Sequence, residues 1–491
     1  MKLTKLLERL EYKVVRGSDQ IEVTELINDS RKVSEGSVFV CISGAVSDGH
    51  SYVAEVAEKG AAAVVVEKDV EAPEGLTVIR VEDTRYALAL MSASYFDYPA
   101  EKLKVIGITG TKGKTTTTYM VKSILEEVGH KVGLIGTIEA LIGDRAIPAS
   151  NTTPESYTIQ NYFAQMVKAG CDSVVMEVSS QGLMLHRTAG IPFEIGIFTN
   201  LGEDHIGPNE HKDFEDYKRC KGLLFKQCRI GIGNVDDQWF ADVFRGATCR
   251  VETFGFSEKA DLRAVDVEHI SRPGYLGVKY HVTGLMDFDV EIDIPGEFSV
   301  YNSLTAIAVC RHFDVPVEKI QKALKVAKVK GRIEMVKVSD EFTLMIDYAH
   351  NAMSLESLLR TLRDYEPGRI VTVFGCGGNR SRTRRYEMGE VSGKLSDFTI
   401  ITSDNPRFEE PQAIIDDIIT GIKKTDGKYI DICDRKEAIR YAIRHGQPGD
   451  VIILAGKGHE TYQEIRGVKY DMDDRVLIRE VLEEMKEEHV R

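Results

Sequence analysis

No stretch of this 491-residue chain stays apolar over the roughly 18 residues that a membrane span needs, so membrane insertion is not expected. The N-terminal MKLTKLLERLEYKVV alternates charge with leucine at helical spacing and lacks the apolar centre of a signal peptide. Basic residues are outnumbered by acidic ones, 63 to 77. A net charge of −14 disfavours broad binding to nucleic acid or anionic membranes, so an anionic ligand must be held by local clusters. The eight cysteines (Cys41, Cys171, Cys220, Cys228, Cys249, Cys310, Cys376 and Cys433) form no CxxC pair. That disfavours a zinc site and fits buried free thiols in a reducing cytoplasm. Repeats and low-complexity tracts are missing. What remains is an ordinary globular composition, 43% hydrophobic and 29% charged, with length for about three domains.

The organisation is read as three segments, 1–98, 99–330 and 331–491. The first mixes short strands (38–42, 62–66) with a helix (52–59), as a small α/β module does. The second opens on the strand 104–108 and continues with near-continuous apolar strands at 132–135, 173–178 and 195–199. Such strands belong to a mostly parallel sheet buried on both faces. Residues 249–294 alternate instead, as at 276–282, and add antiparallel strands. The third segment repeats βα units, with strands at 342–348, 370–374, 398–402 and 451–455, and predicts a doubly wound, Rossmann-like sheet.

Directly after the strand 104–108 stands TGTKGKTTTT, Thr109 to Thr118, followed by a helical pattern from Tyr119 to Val128. Strand, glycine-bounded loop and helix in that order turn backbone N–H groups toward an anion. Lys114 adds a point charge for the outer phosphates and Thr115 a hydroxyl for Mg²⁺. The generic phosphate-loop pattern wants glycine where Ile108 stands, so this loop is a variant built on Gly110 and Gly113, with Thr111, Lys112 and Thr116 completing it. A nucleoside triphosphate is the expected ligand.

Ligands of open α/β sheets collect at the C-terminal strand ends. Glu177 follows the strand 173–176, and Thr199, Asn200, Glu203, Asp204 and His205 follow 195–198. Glu177 and His205 are reasonable Mg²⁺ ligands or partners of such ligands. Asn151-Thr152-Thr153-Pro154 reads by itself as a helix N-cap and nothing more. Lys221 reads as a surface lysine on an amphipathic helix. In the third segment, Gly375 to Arg380 (trailed by Arg382, Arg384 and Arg385), Asp404-Asn405-Pro406-Arg407 and Gly456 to Glu460 each follow a strand. They predict a second ligand surface, one suited to carboxylate or phosphate.

Taken together these clusters resemble the Mur ligases of peptidoglycan synthesis over nearly the whole chain. The resemblance rests on TGTKGKTTT, NTTPE at Asn151, EVSS at Glu177, TNL with DH at Thr199 to His205, and YKRCKGLLF. It extends to GEFSVYNSLTA, GRIE, DYAHNAMSL, FGCGGNR, DNPR and GKGHE, with DSRKVSEGSVFVCISG and DGH near the N-terminus. It implies an ATP- and Mg²⁺-dependent ligase of the branch that adds the third stem-peptide residue. Ser30 would contact the UDP part of UDP-N-acetylmuramoyl-L-alanyl-D-glutamate, while Asn151, Thr152, Thr153, Ser179 and Arg187 would hold the muramoyl-dipeptide. Lys114, Glu177, His205 and a carbamylated Lys221 would form the catalytic and metal centre together with Thr115. Asn302, Arg332, Asp347 and His350 would serve the nucleotide.

The resemblance also implies that an acyl phosphate forms and that the incoming amine attacks it as the domains close. DNPR points to meso-diaminopimelate. Arg407 with Arg380 would grip its distal carboxylate, and Asp404, Asn405, Pro406, Gly456 and Glu460 would complete the pocket. A cytoplasmic monomer is expected. Gln181, Leu185 and a stretch from Asp204 to Lys221 about two residues longer than the common form depart from the family pattern on the dipeptide side. A paralogue adding L-lysine or another amino acid, and a non-catalytic nucleotide-binding regulator, are the alternatives.

Overall fold

The computed structural model describes every residue except Ala45, Val46, Asp204, His205, Pro208, Asn209, Pro273 and Arg491. The chain packs as two compact units, residues 1–263 with 304–319 and residues 264–303 with 320–491.

The first unit holds two sheets. The smaller has five strands in the order Lys13–Arg16, Thr77–Arg80, Ala63–Val66, Val38–Val40 and Leu26–Ile27, parallel except for the first pair. Both faces are covered, so alternate side chains enter different cores. Val38, Val40, Val65 and Ile79 pack with the helix Thr84–Tyr95, and Phe39, Val64, Val66 and Val78 pack with the helix Val53–Glu58. The N-terminal helical pattern is realised only over Leu3–Leu7, because the chain turns into the strand Lys13–Arg16.

The larger sheet is centred on Lys104–Thr109, flanked in parallel by Phe193–Phe198 and Ser173–Glu177. Val105, Ile106 and Ile108 are fully buried there, each stabilising the fold by about 1.5–3 kcal/mol. Cys228–Asn234 extends the sheet in parallel on one side, and Val132–Ile135 extends it on the other. Registry sets Glu177 beside Ile108 and Phe198 beside Thr109, so three strands end level with the glycine loop.

In the second unit six strands run in the order Glu334–Val336, Thr343–Asp347, Asp450–Ala455, Arg369–Phe374, Phe398–Ile401 and Tyr429–Asp431. Only the first pair is antiparallel. Asp450–Ala455 lies between two strands that precede it in the chain, so the strand order reverses beside it, the usual place for a ligand crevice. An antiparallel pair, Tyr275–Gly284 with Phe288–Ile292, fulfils the expectation from the alternating stretch. Part of that stretch differs: Arg250–Gly255 pairs in parallel with Leu262 and Arg263. Among the cysteines, Cys433 is exposed and Cys249 half-buried, against the expectation that all are buried; the other six are buried. No described helix is long and apolar enough to cross a membrane.

Candidate active site

The glycine loop is closed by its neighbours. Gly110 has φ +150°, and a Cβ there would lie 1.9 Å from the Thr199 hydroxyl, so only glycine fits. Asn200 grips the loop from behind. Its carbonyl accepts from Thr111 N–H at 2.9 Å, its Oδ1 accepts from Lys112 N–H at 2.9 Å, and its Nδ2 donates to the Lys112 carbonyl at 3.1 Å. Thr199 Oγ1 donates to that same carbonyl at 2.7 Å.

The helix then starts at Lys114, five residues before the hydrophobic pattern indicates, and runs to Glu127. Its four consecutive threonines are poor helix formers, and tertiary packing overrides that preference. The N-cap residue is Gly113, which has no side chain to cap the N-terminus, and this leaves it suited to an anion. Lys114 folds back, and its Nζ donates to the carbonyls of Gly110 at 2.8 Å and Thr111 at 3.1 Å.

Glu177 is 1% exposed at the end of its strand. Its Oε1 accepts from Thr115 Oγ1 at 3.0 Å and from Thr137 N–H at 2.9 Å, while Oε2 accepts from Thr137 Oγ1 at 2.9 Å. Thr137 also meets Thr152, hydroxyl to hydroxyl, at 3.0 Å. Sequence reading overlooked Thr137, although Gly136-Thr137 follows a strand as the other clusters do. Two buried oxygen donors in contact, from Thr115 and Glu177, fit a hard cation such as Mg²⁺. His205 lies outside the described residues.

Lys221 corrects its own reading as a surface residue. It is 2% exposed, its Nζ donates to Gly110 O at 3.0 Å, and it stands 4.5 Å from the centroid of the buried Tyr217 ring. The Tyr217 hydroxyl is 3.0 Å from Thr111 Oγ1, so the helix Phe214–Gly222 packs directly on the loop.

Thr153 Oγ1 donates to the Glu177 carbonyl at 3.0 Å and accepts from Ser179 N–H at 2.9 Å. Arg187 reaches the Thr153 carbonyl at 2.9 Å and the Glu155 carboxylate at 2.7 Å. Asn151 is exposed and lines a small pocket of about 100 Å³ with Glu155. Glu155 also lines a cleft of about 810 Å³ containing Ser30, Arg31, Lys32, Tyr52 and Arg85. In the longer stretch before Lys221, His211 is fully buried between Ser180 Oγ (2.8 Å) and Asp216 (3.0 Å).

In the second unit, Asp347 is buried and its two oxygens accept from Ala349 N–H at 2.8 Å and Ile333 N–H at 2.9 Å. Burial raises its carboxyl above the ordinary range. Arg332 lies 4.8 Å from the Tyr348 ring, which also meets His350 and His459 at 4.6 and 4.7 Å. Arg332 Nε and His459 Nδ1 are buried without a hydrogen-bond partner among the described residues, which suits them to a ligand. Asn302 is buried on the helix Glu297–Cys310.

The residues expected to take the amino acid form a separate cluster. Glu460 Oε2 accepts from Asn405 Nδ2 at 2.8 Å and from Lys457 Nζ at 3.2 Å, and Lys457 is wholly buried. Lys457 also reaches Asn405 Oδ1 at 3.2 Å, and burial raises the Asp404 carboxyl. A Cβ on Gly456 would lie 3.1 Å from Asp404 Oδ2. Gly378 passes so close to the Pro406 carbonyl that a Cβ would lie 1.9 Å from it, and Arg407 Nη1 donates to Gly378 O at 2.7 Å. Arg380 is exposed on the same turn. Arg385, grouped with it from sequence, is instead buried between Glu409 and Asp417. The sequence placed Lys457 in the Gly456 to Glu460 cluster without giving it a role of its own, and it did not single out Tyr348.

Three family descriptions match the chain: Mur ligase family, catalytic domain (residues 22–96); Mur ligase middle domain (108–310); and Mur ligase, glutamate ligase domain (331–458). A UDP-N-acetylmuramoyl-L-alanyl-D-glutamate–2,6-diaminopimelate ligase of Clostridium acetobutylicum is 45% identical over 488 residues, covering 99% of this chain and 100% of the relative. The chain belongs to the Mur ligase family.

A similarly named ligase of Caldanaerobacter subterraneus is 43% identical, covering 99% of each chain. A solved structure of a ligase with that name superposes on this Mur ligase with a TM-score of 0.74 at 27% identity, covering 99% of both chains. A MurF structure from Acinetobacter baumannii, at 20% identity and TM-score 0.63 over 98% of both, shares the fold. Three Mur ligase domains of mixed α/β type make up the molecule.

Proposed function

We propose that this Mur ligase joins meso-diaminopimelate to UDP-N-acetylmuramoyl-L-alanyl-D-glutamate at the cost of ATP. The observation that carries the reading is the pairing of a phosphate loop backed by Glu177 and Lys221 with a separate Asn405–Arg407–Glu460 pocket. The full-length relatives of 45% and 43% identity carry that activity in their names. We divide the labour as 1–98 for the UDP-substrate, 99–330 for ATP and ligation, and 331–491 for the amino acid.

The cleft at Ser30 takes the uridine diphosphate end, with Lys32 and Arg85 as nearby positive groups. Thr153, Ser179 and Arg187 form one bonded group that orients the dipeptide, and Asn151 and Thr152 border it. Loop N–H groups and Lys114 hold the triphosphate; on its arrival Lys114 exchanges its two carbonyl partners for phosphate oxygens. Thr115, Glu177, His205 and Lys221 as its carbamate would hold Mg²⁺, which would supply charge neutralisation on the transferring phosphoryl group.

The dipeptide carboxylate attacks the γ-phosphate, ADP leaves, and the amine of the amino acid then displaces phosphate from the acyl phosphate. Arg332, Asp347, His350 and Asn302 serve the nucleotide. In the amino-acid pocket Glu460 accepts the ammonium, while Arg407 with Arg380 takes the distal carboxylate.

Phosphate release from ATP, Mg²⁺, the UDP-dipeptide and single amino acids tests this reading. Release should require diaminopimelate. Equal release with lysine overturns the amino-acid assignment, and no release with any amino acid favours a regulator.

A further inference from the structure

Arg407 is held in an unusual way. Its φ of +54° lies in the left-handed region, which a side chain adopts only when its surroundings insist. The insistence comes from the hairpin Tyr462–Ile465/Val468–Asp471. Arg407 N–H donates to the Glu464 carbonyl at 2.9 Å, and the Arg407 carbonyl accepts from Arg466 N–H at 2.7 Å, so the backbone is clamped on both sides. Glu464 N–H in turn donates to Asn405 Oδ1 at 2.9 Å.

The side chain is fixed by the same residue. Arg407 Nε donates to Glu464 Oε2 at 3.1 Å and Nη1 donates to Gly378 O at 2.7 Å. A guanidinium has five N–H donors in a rigid plane. Two of them are committed, one at each flank, which fixes the plane. Nη2, with both of its N–H groups, has no partner among the described residues. Both side chains of the pair are about one-quarter exposed (22% and 24%), so the free edge is open to a ligand.

We infer that Glu464 is a positioning residue for amino-acid selection: it locks Arg407 so that the Nη2 edge is presented, preorganised, to the distal carboxylate of the incoming amino acid. The inference rests on the diaminopimelate reading and deepens it. Glu464 works through Arg407. Its contribution is orientation: Oε2 holds the Nε–H, and the Nη2 N–H that points away from that edge is left to the substrate. A rotamer-rich arginine ordered before binding loses less freedom on binding, which appears as a lower KM.

Steady-state kinetics of E464A and E464Q test this. E464A frees the guanidinium, and its KM for diaminopimelate should rise by about tenfold or more, with kcat within about twofold and KM for ATP unchanged. E464Q keeps an acceptor oxygen and should restore KM to within about threefold of wild type. An unchanged KM in E464A contradicts the inference. So does a loss spread equally over kcat and the KM for ATP, which marks general damage, or a glutamine that fails to rescue. A wild-type enzyme that does not use diaminopimelate contradicts the functional reading instead, and that control separates the two failures.

Discussion

Lys114 and Lys221 end on the same atom: both ammonium nitrogens donate to the carbonyl oxygen of Gly110, at 2.8 and 3.0 Å. The proposed function carries Lys221 as a carbamate, on a side chain that is 2% exposed. A neutral amine is what carbon dioxide requires to form a carbamate. Protein prepared in ¹³C-bicarbonate should therefore show one carbamate carbon signal that K221R lacks. K221Q should lower kcat by about 10²-fold or more, and K221E, which returns a negative charge, should recover part of the loss. Equal activity in K221Q and wild type contradicts a metal-ligating role.

Thr137 offers Glu177 two donors, one from the backbone and one from the hydroxyl. T137V removes only the second. Partners that orient a metal ligand are worth about 10–100-fold in metal affinity, so the Mg²⁺ concentration for half-maximal activity should rise by about that factor. T137S should stay near wild type. An unaltered Mg²⁺ requirement in T137V would show that Glu177 is oriented without the hydroxyl.

His459 is pushed down to about 4 by burial and by the positive charge of Arg332, Lys330 and Arg475. The unfolded chain titrates at the ordinary value near 6.5 and binds the proton first as pH falls. The stability that His459 contributes is therefore complete above pH 6.5 and drains away between about 6.5 and 4. H459Q should flatten the stability curve over that window and change it little at pH 8. An NMR titration with a midpoint above 6 contradicts the assignment.

Arg435 and Asp474 form a buried pair, each side chain 1% exposed, joined by two bonds of 2.7 Å. Removing one partner strands a buried charge, so R435M should destabilise the second unit by about 3–5 kcal/mol in denaturant unfolding. The double variant R435M/D474L should lose much less than the two single changes together. Additive losses contradict a specific pair.

The phosphate loop was legible because its message is local: glycines, a lysine and threonines directly after an apolar strand. That Asp404 and Gly456 stand at strand ends and come together was legible for the same reason, since strand ends announce themselves. Lys221 was not. Its helix is dominated by charged residues, and only the packing of Tyr217 and Gly110 turns that lysine inward. Thr137 and Glu464 act through partners 40 and 57 residues away along the chain, a relation no periodicity encodes. Arg385 looked like its neighbour Arg380 until Glu409 and Asp417 were seen to enclose it. Residue type suggested the chemistry; burial decided which arginine was available for it.

The choice of amino acid is the central claim, and a competition assay tests it most directly. Enzyme, ATP, Mg²⁺ and UDP-N-acetylmuramoyl-L-alanyl-D-glutamate are given equimolar meso-diaminopimelate and L-lysine, and the products are separated by mass. The Arg407 site predicts that the diaminopimelate product exceeds the lysine product by about 10²-fold or more, because the lysine side chain offers Nη2 no carboxylate. Comparable amounts of the two products, or an excess of the lysine product, contradict it.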